Sequence, residues 1–281
     1  MAITCGLIDL GLTPYRDALA LQRRLAALRV EERVGDLLLL LEHPPVITLG
    51  RGGKRAHLLV PESSISARGI EFFNVERGGD ITYHGPGQLV GYPILNLAEH
   101  GGDVHSHLRR LEGILIETLT RFGLGASRWI GRTGVWVRGR KIASIGIHVS
   151  RWVTRHGFAL NVDMNLAPFK LIVPCGIKGA SATSIAEELS RPVAVEEVIP
   201  VLVQRFEAGF GVDLLPTSLD VIFGSIGPAH QGVHPTYPPL EAHGPVLSRV
   251  LPLMTSDDSS SLSGAISTTK CYDLAEIDNF C

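Results

Sequence analysis

The sequence predicts an α+β domain, a mixed β-sheet flanked by helices. Three observations carry that prediction. Strand-like and helix-like stretches follow one another without regular βαβ alternation. The block from Gly134 to Val162 reads almost wholly as strand. The chain has 281 residues, 45% of them hydrophobic and 19% charged, so it can bury a sizeable core.

Thr13-Pro14 opens the first helix, since threonine can cap it and proline fits its first turn. Ala18, Leu21, Leu25 and Leu28 then recur at helical spacing, leaving Arg16, Arg23 and Arg24 on other faces. "DLLLLLEH" and "VITLG" read as strands bracketing a turn at Pro44-Pro45, the first of them buried on both faces. Asp103 starts a second helix with Leu108, Leu111, Leu115, Leu119 and Phe122 as its apolar stripe, and Gly123 stops it. "GVWV", the turn Arg138-Gly139, "KIASIGIHV" and "GFALNV" form a hairpin and a third strand. "EEVIPVLVQRFEAGFG" is a further helix, bent or restarted at Pro200. Residues 1–215 are expected to form the folded domain. Residues 216–281, rich in Pro, Gly, His and Ser, are expected to be a largely disordered tail.

A net charge of −2 and 6% aromatic residues give no reason to expect nucleic-acid binding. The N-terminus lacks the basic and apolar regions of a signal peptide, and no apolar run is long enough to span a bilayer. Cys5, Cys175, Cys271 and Cys281 make neither a zinc pattern nor a compact disulfide framework. They read as reduced thiols of a cytoplasmic protein, with a Cys271–Cys281 pairing left open.

Candidate chemistry begins at "ERGGDITYHGPGQLVGYPI". Gly78-Gly79 lets backbone N–H groups approach a ligand closely, or else simply makes the corner of a hairpin. Alternation puts Thr82 and His84 on one face, with Ile81 and Tyr83 on the other. No Walker loop or Rossmann glycine fingerprint occurs, which argues against an ATP-driven ligase. "RGGKR", Arg51 to Arg55, is either a solvated loop or a docking patch for an acidic protein. Lys141 would share a strand face with Ala143, Ile145 and Ile147; partly desolvated there, it suits proton transfer, or it guards a sheet edge. Cys175, in "LIVPCGIKG", reads by spacing alone as an inert packed thiol. To be a nucleophile it needs a cationic neighbour, and Lys141 and His84 are the candidates.

Taken together and in this order, "RGGDITYHGPGQLVGYPI", "GRKIASIGIHV", "HGFALNV" and "IVPCGI" closely resemble the octanoyl-[acyl-carrier-protein]:protein N-octanoyltransferases of the lipoate pathway. The resemblance covers roughly residues 1–215. It implies a fold like the catalytic domain of biotin and lipoate protein ligases. It places the family's nucleophile on Cys175 and its thiolate-favouring lysine on Lys141. It maps the substrate-binding segments onto Arg77, Gly78, Gly79, Asp80, Ile81, Thr82, Tyr83 and His84; onto Ser144, Ile145 and Gly146; and onto Gly157, Phe158 and Ala159. Relatives vary at the position of Asp80, so the resemblance gives it no catalytic role. The implied donor is octanoyl-acyl carrier protein. The implied acceptors are lipoyl domains of 2-oxo acid dehydrogenases and the glycine cleavage H protein. No cofactor, metal, nucleic acid or membrane is implied. Two other readings remain: an ATP-dependent lipoate-protein ligase, and a non-catalytic binding module of the same fold.

Overall fold

The computed structural model describes residues 3–173 and 181–226. Its main sheet is built around the leucine run that the sequence marks as buried on both faces. In β2 (Asp36–Glu42), Leu37, Leu39 and Leu41 enter one core while Leu38 and Leu40 enter the other. A strand's period of two sends consecutive leucines to opposite faces, so five in a row need apolar layers on both sides.

Eight strands form this sheet in the order β11-β1-β2-β6-β10-β9-β8-β7. They are β1 (Ile3–Leu12), β6 (Gln88–Ile94), β7 (Ala126–Trp129), β8 (Arg132–Val137), β9 (Arg140–Ser150), β10 (Val153–Asn161) and β11 (Val212–Pro216), together with β2. β1 runs parallel to β2 and β11, and the remaining pairings are antiparallel. The expected mixed sheet is therefore present, as is the expected hairpin with its third strand. The helices α2 (Glu62–Ser66) and α4 (Ile185–Leu189) are short. On one face of the sheet lie α3 (Val104–Arg121) and α5 (Val195–Phe210), which pack on each other through residues such as Leu111, Leu115, Leu202 and Phe206. On the other lies α1 (Tyr15–Val30), which seats Ala18, Leu21, Leu25 and Leu28 against Leu39, Val90 and Ala159.

Several local expectations are corrected. Pro14, not Thr13, occupies the N-cap of α1, and the Thr13 hydroxyl donates to the Leu10 carbonyl instead (2.8 Å). Asp103 caps α3 as expected, accepting from the N–H groups of His105 and Ser106. α5 is one continuous helix across Pro200. The carbonyl of Glu196, which loses its i+4 donor there, belongs to an exposed residue that water can satisfy. The strand after Pro44-Pro45, β3 (Val46–Leu49), does not return to β2. It joins a second, three-stranded sheet between β4 (Glu71–Asn74) and β5 (Ile81–His84). For the same reason "ITYHGPGQLVGYPI" is not a hairpin: β5 belongs to the small sheet and β6 to the large one. Gly87 makes that crossing possible at φ +83°, where a Cβ would stand 2.0 Å from the Asp163 carbonyl oxygen.

Ordered structure also runs past the expected boundary at residue 215. The Thr217 N–H donates to the Leu7 carbonyl, and α6 (Leu219–Gly224) follows. Its Leu219, Ile222 and Phe223 pack against the α1-side core, and the Arg24 guanidinium lies 3.9 Å from the Phe223 ring centroid. These apolar residues have helical spacing inside a stretch whose overall composition suggests none. Residues 227–281 lie outside the described part of the chain. No described helix is long and apolar enough to cross a membrane.

Phe223→Ala is expected to lower unfolding free energy by about 2 kcal/mol, roughly half the usual cost for a fully buried ring. Urea denaturation of the full chain measures it.

Candidate active site

A pocket lies between the two sheets, and its floor is made by what β9 and β10 lack. Ser144 pairs with Ala159 and Gly146 pairs with Gly157. Two consecutive cross-strand pairs on one face thus carry almost no side chain, while Ile145, Ile147, Phe158 and Leu160 fill the core on the opposite face. The roof comes from β5 and the glycine-rich turn before it. The Gly78 N–H donates to the Ile147 carbonyl (2.7 Å), and a Cβ on Gly146 would stand 2.8 Å from the Gly78 oxygen. The space among the lining atoms, open mouth included, is about 640 Å³.

Two groups of side chains line it. One comprises Tyr15 of α1, His84 of β5, Tyr92 of β6, His156 of β10 and the buried Arg77. Tyr15 stacks on His84 at 6.2 Å, and Tyr92 meets His156 edge-on at 6.3 Å. The other group comprises Lys141, Trp136, Arg132 and Thr133. The Lys141 Nζ lies 5.2 Å from the Trp136 ring centroid, an attractive placement for a cation. His156 pairs with Ile147, six residues along β9 from Lys141, or roughly 15–20 Å of strand. The pocket is elongated.

Lys141 reaches it through a β-bulge. Val135 pairs with Ala143 but Trp136 pairs with Lys141, so β9 carries one extra residue at that point. Ile142 and Ala143 both enter the core as a result. Lys141 therefore shares the pocket face with Ser144 and Gly146, not the apolar face with Ala143, Ile145 and Ile147 that simple alternation predicts. Its side chain is buried over Gly134, where an added Cβ would come within 2.7 Å of the lysine Cε. Its backbone is held as well: the Lys141 N–H donates to the Ser181 carbonyl, and its carbonyl accepts from the Thr183 N–H, both at 2.9 Å.

The imidazoles of the polar wall are neutral, and most of its groups are networked. His43 donates from Nδ1 to the Thr13 carbonyl, so its Nε2 accepts from the Tyr92 hydroxyl (2.7 Å each). His84 donates from Nδ1 to Gln88 Oε1 (2.7 Å), Gln88 donates to Asn161 Oδ1 (2.9 Å), and Asn161 donates to the Thr183 carbonyl (2.8 Å). Burial holds these imidazoles well below their ordinary value, His43 at about 4 and both His84 and His156 at about 3. Burial likewise pushes the Tyr15 hydroxyl up to about 12. Arg77 donates to the Thr48 carbonyl (2.8 Å), the Thr48 hydroxyl (2.9 Å) and the Gly78 carbonyl (3.1 Å).

Most of the anticipated residues meet at this pocket. Arg77, Gly79, Asp80, Ile81, Thr82 and His84 line it, as do Lys141, Ser144, Ile145, Gly146, Gly157, Phe158 and Ala159. Gly78 and Tyr83 do not. Gly78 is spent on the contact with β9, and Tyr83 faces the small-sheet core, meeting Phe169 at 5.6 Å. Cys175 lies outside the described residues. Cys5, the other thiol in question, is buried in the main core, where burial pushes its ionisation well up and leaves it inert. Tyr15, Tyr92, Arg132, Thr133, Trp136 and His156 escaped sequence reasoning. His156 sits at φ +57° beside Gly157, and no local sequence signal announces that backbone.

Residues 14–207 match the model of the lipoyl protein ligase A/B catalytic domain. An octanoyltransferase of Gloeobacter violaceus is 51% identical over 217 residues, spanning 77% of this chain and 95% of its own length. The chain belongs to the lipoyl protein ligase A/B catalytic-domain family. A second relative, an octanoyltransferase of Geobacter metallireducens, is 50% identical over 70% of this chain and 90% of its own. The family's fold is also found in solved structures of distant sequence. A lipoate-protein ligase A bound with ATP superposes with TM-score 0.63 at 16% identity, covering 80% of this chain and 92% of that one. A bi-partite lipoate protein ligase from Thermoplasma acidophilum gives 0.62 at 16%, covering 80% and 90%.

The neutral imidazoles make stability pH-dependent. Unfolded, each protonates near pH 6.5; folded, each resists protonation until pH 3–4. Below pH 6.5 the unfolded chain therefore binds more protons, so stability is complete above that pH and drains away as pH falls. Unfolding free energies from urea denaturation are expected to drop between pH 6.5 and 5, on the order of 1 kcal/mol per pH unit for each imidazole.

Proposed function

We propose that this chain is an octanoyltransferase. It moves an octanoyl group from octanoyl-acyl carrier protein to a lysine of a lipoyl domain, through a thioester on Cys175. The observation that carries the reading is the elongated pocket floored by Ser144, Gly146, Gly157 and Ala159, with a buried lysine among its walls. An extended eight-carbon chain needs such a channel, and each CH₂ it buries contributes about 0.8 kcal/mol. The described residues on either side of position 175 each bond a pocket residue or a neighbour of one. Val173 donates to the carbonyl of His57, whose ring bonds the pocket residue Asp80, and Ser181 accepts from the Lys141 N–H.

In the first half-reaction the Cys175 proton passes to the Lys141 amine. The thiolate attacks the donor thioester carbonyl, the donor C–S bond breaks, and the departing thiolate takes its proton from the Lys141 ammonium. In the second, the acceptor lysine's amine attacks the acyl-enzyme and an amide forms. Lys141 accepts the proton that the nitrogen sheds, the Cys175 C–S bond breaks, and the thiolate is reprotonated by Lys141. One thioester becomes one amide, with no nucleotide consumed.

Incubation with octanoyl-acyl carrier protein is expected to add one octanoyl mass to the intact chain and none to Cys175→Ser. Lys141→Ala should lower transfer to a lipoyl domain about 10²–10⁴-fold while remaining folded by circular dichroism. Full transfer by Cys175→Ala would end the thioester reading, and transfer that requires ATP and releases pyrophosphate would replace it with a ligase.

A further inference from the structure

Glu112 is a carboxylate on the buried face of α3, beside Leu111 and Leu115 and fully enclosed, yet no step of the transfer uses it. Its Oε2 accepts from Arg109 Nη1 (2.7 Å) and Arg128 Nε (2.9 Å), two guanidinium groups about half exposed to solvent. Its Oε1 accepts instead from a backbone group, the Gly134 N–H (3.1 Å). That bond stands where the sheet breaks register. β7 and β8 pair at Ser127 with Trp136 and again at Trp129 with Arg132, so β8 carries extra residues between those points. Gly134 lies among them, at φ +133°, a backbone that other residues rarely adopt. A strand residue out of register is held by whatever acceptor reaches its N–H, and here the acceptor comes from α3.

Gly134 in turn carries Lys141. A Cβ at position 134 would stand 2.7 Å from the lysine Cε and 3.2 Å from its Nζ, so the end of that side chain lies directly on the Gly134 backbone. Two residues along β8, Trp136 presents the ring whose centroid is 5.2 Å from the same Nζ. Two of the surfaces against which the amine rests thus belong to one short stretch of β8, and Glu112 ties that stretch to the helix.

We infer that Glu112 is a positioning residue: by accepting the Gly134 N–H it fixes the out-of-register segment of β8 on which the Lys141 amine is seated. The inference rests on the part that Lys141 plays in the transfer proposed above. Without the carboxylate oxygen, the Gly134 N–H is buried with no acceptor, and the segment must shift to find one. The glycine itself offers little resistance to that shift. Misplacing a reacting group by about 1 Å can cost ~10²-fold in rate.

The test uses Glu112→Ala, Glu112→Met and Glu112→Gln in the full chain, with Glu112→Ala also combined with Lys141→Ala. Two readouts are followed. Transfer from octanoyl-acyl carrier protein to a lipoyl domain gives kcat and donor KM. Competitive acetylation, read by peptide mass spectrometry, gives the reactivity of the Lys141 amine relative to the exposed Lys54. Glu112→Ala and Glu112→Met should each lower kcat about 10–100-fold with donor KM within about threefold. Glu112→Gln keeps an oxygen for the Gly134 N–H and should recover most of that loss. Added to Lys141→Ala, Glu112→Ala should slow transfer no further, because its effect passes through the lysine. Lys141 acetylation should rise about threefold or more in the alanine and methionine variants and stay at the parent level in Glu112→Gln. Unchanged kcat in the alanine and methionine variants would overturn the proposal. So would a full further loss on the Lys141→Ala background, a glutamine variant as slow as alanine, or unaltered Lys141 labelling. Should Glu112→Ala fail to fold, Glu112→Met, which fills similar volume, takes its place in every arm. Full transfer by Lys141→Ala would instead remove the lysine from the proposed reaction, and the labelling would still decide whether Glu112 seats its amine.

Discussion

A protein interior is packed about as tightly as an organic crystal, so a channel through one must be built by omission. Here the omission is a strip two strands wide. Ser144 faces Ala159 and Gly146 faces Gly157, and nothing larger is available on that face of β9 and β10 to fill the space above them. The strands themselves stay rigid because their other face is fully committed to the core through Ile145, Ile147, Phe158 and Leu160. Every other feature of the pocket depends on that strip. The small sheet can lie over it, Gly78 can touch β9 backbone to backbone, and a lysine can lie along it.

Such a channel lined by polar groups would be costly if those groups were charged or unpaired. Keeping the imidazoles neutral confines the first cost to groups such as Arg77, whose bonds to Thr48 and Gly78 offset it. Hydrogen bonds from His43 to Thr13 and Tyr92, and from His84 to Gln88, offset much of the second. The network also has reach. From His84 it passes through Gln88 and Asn161 to Thr183, whose N–H is the donor that Lys141's carbonyl accepts. A polar wall that holds itself together also sets the backbone of the lysine opposite.

Much of this was legible in the sequence, and the gaps have physical causes. Leucine runs, helical stripes and the strand block from Gly134 give the mixed sheet and both helical layers, because burial leaves a periodic trace. The glycine-rich segment draws notice through its glycines, whereas Ser144, Ile145 and Gly146 are picked out only by the family resemblance. What periodicity cannot carry is a change of sheet or of register. "VITL" and "ITYH" look like partners of their neighbours in sequence, yet they leave for a second sheet. The bulge in β9 turns Lys141 onto the opposite face from the one that alternation assigns. Tyr15 and Tyr92 are brought in by α1 and β6, from positions whose own sequence context reads as ordinary core.

The glycine-rich segment does more than cover the pocket, because it is tied to both ends of the stretch that contains Cys175. Asp80 holds His57, which holds Val173 on the entering side. His84 leads through Gln88 and Asn161 to Thr183 on the departing side. The two routes share no residue, and they leave the segment from Asp80 and His84, four positions apart. Being independent, they hold Val173 and Thr183 by separate routes, so the loss of one leaves the other in place. The segment that roofs the pocket is therefore also tied to the backbone on both sides of residues 174–180, so enclosing the pocket and anchoring that backbone are done by the same few residues.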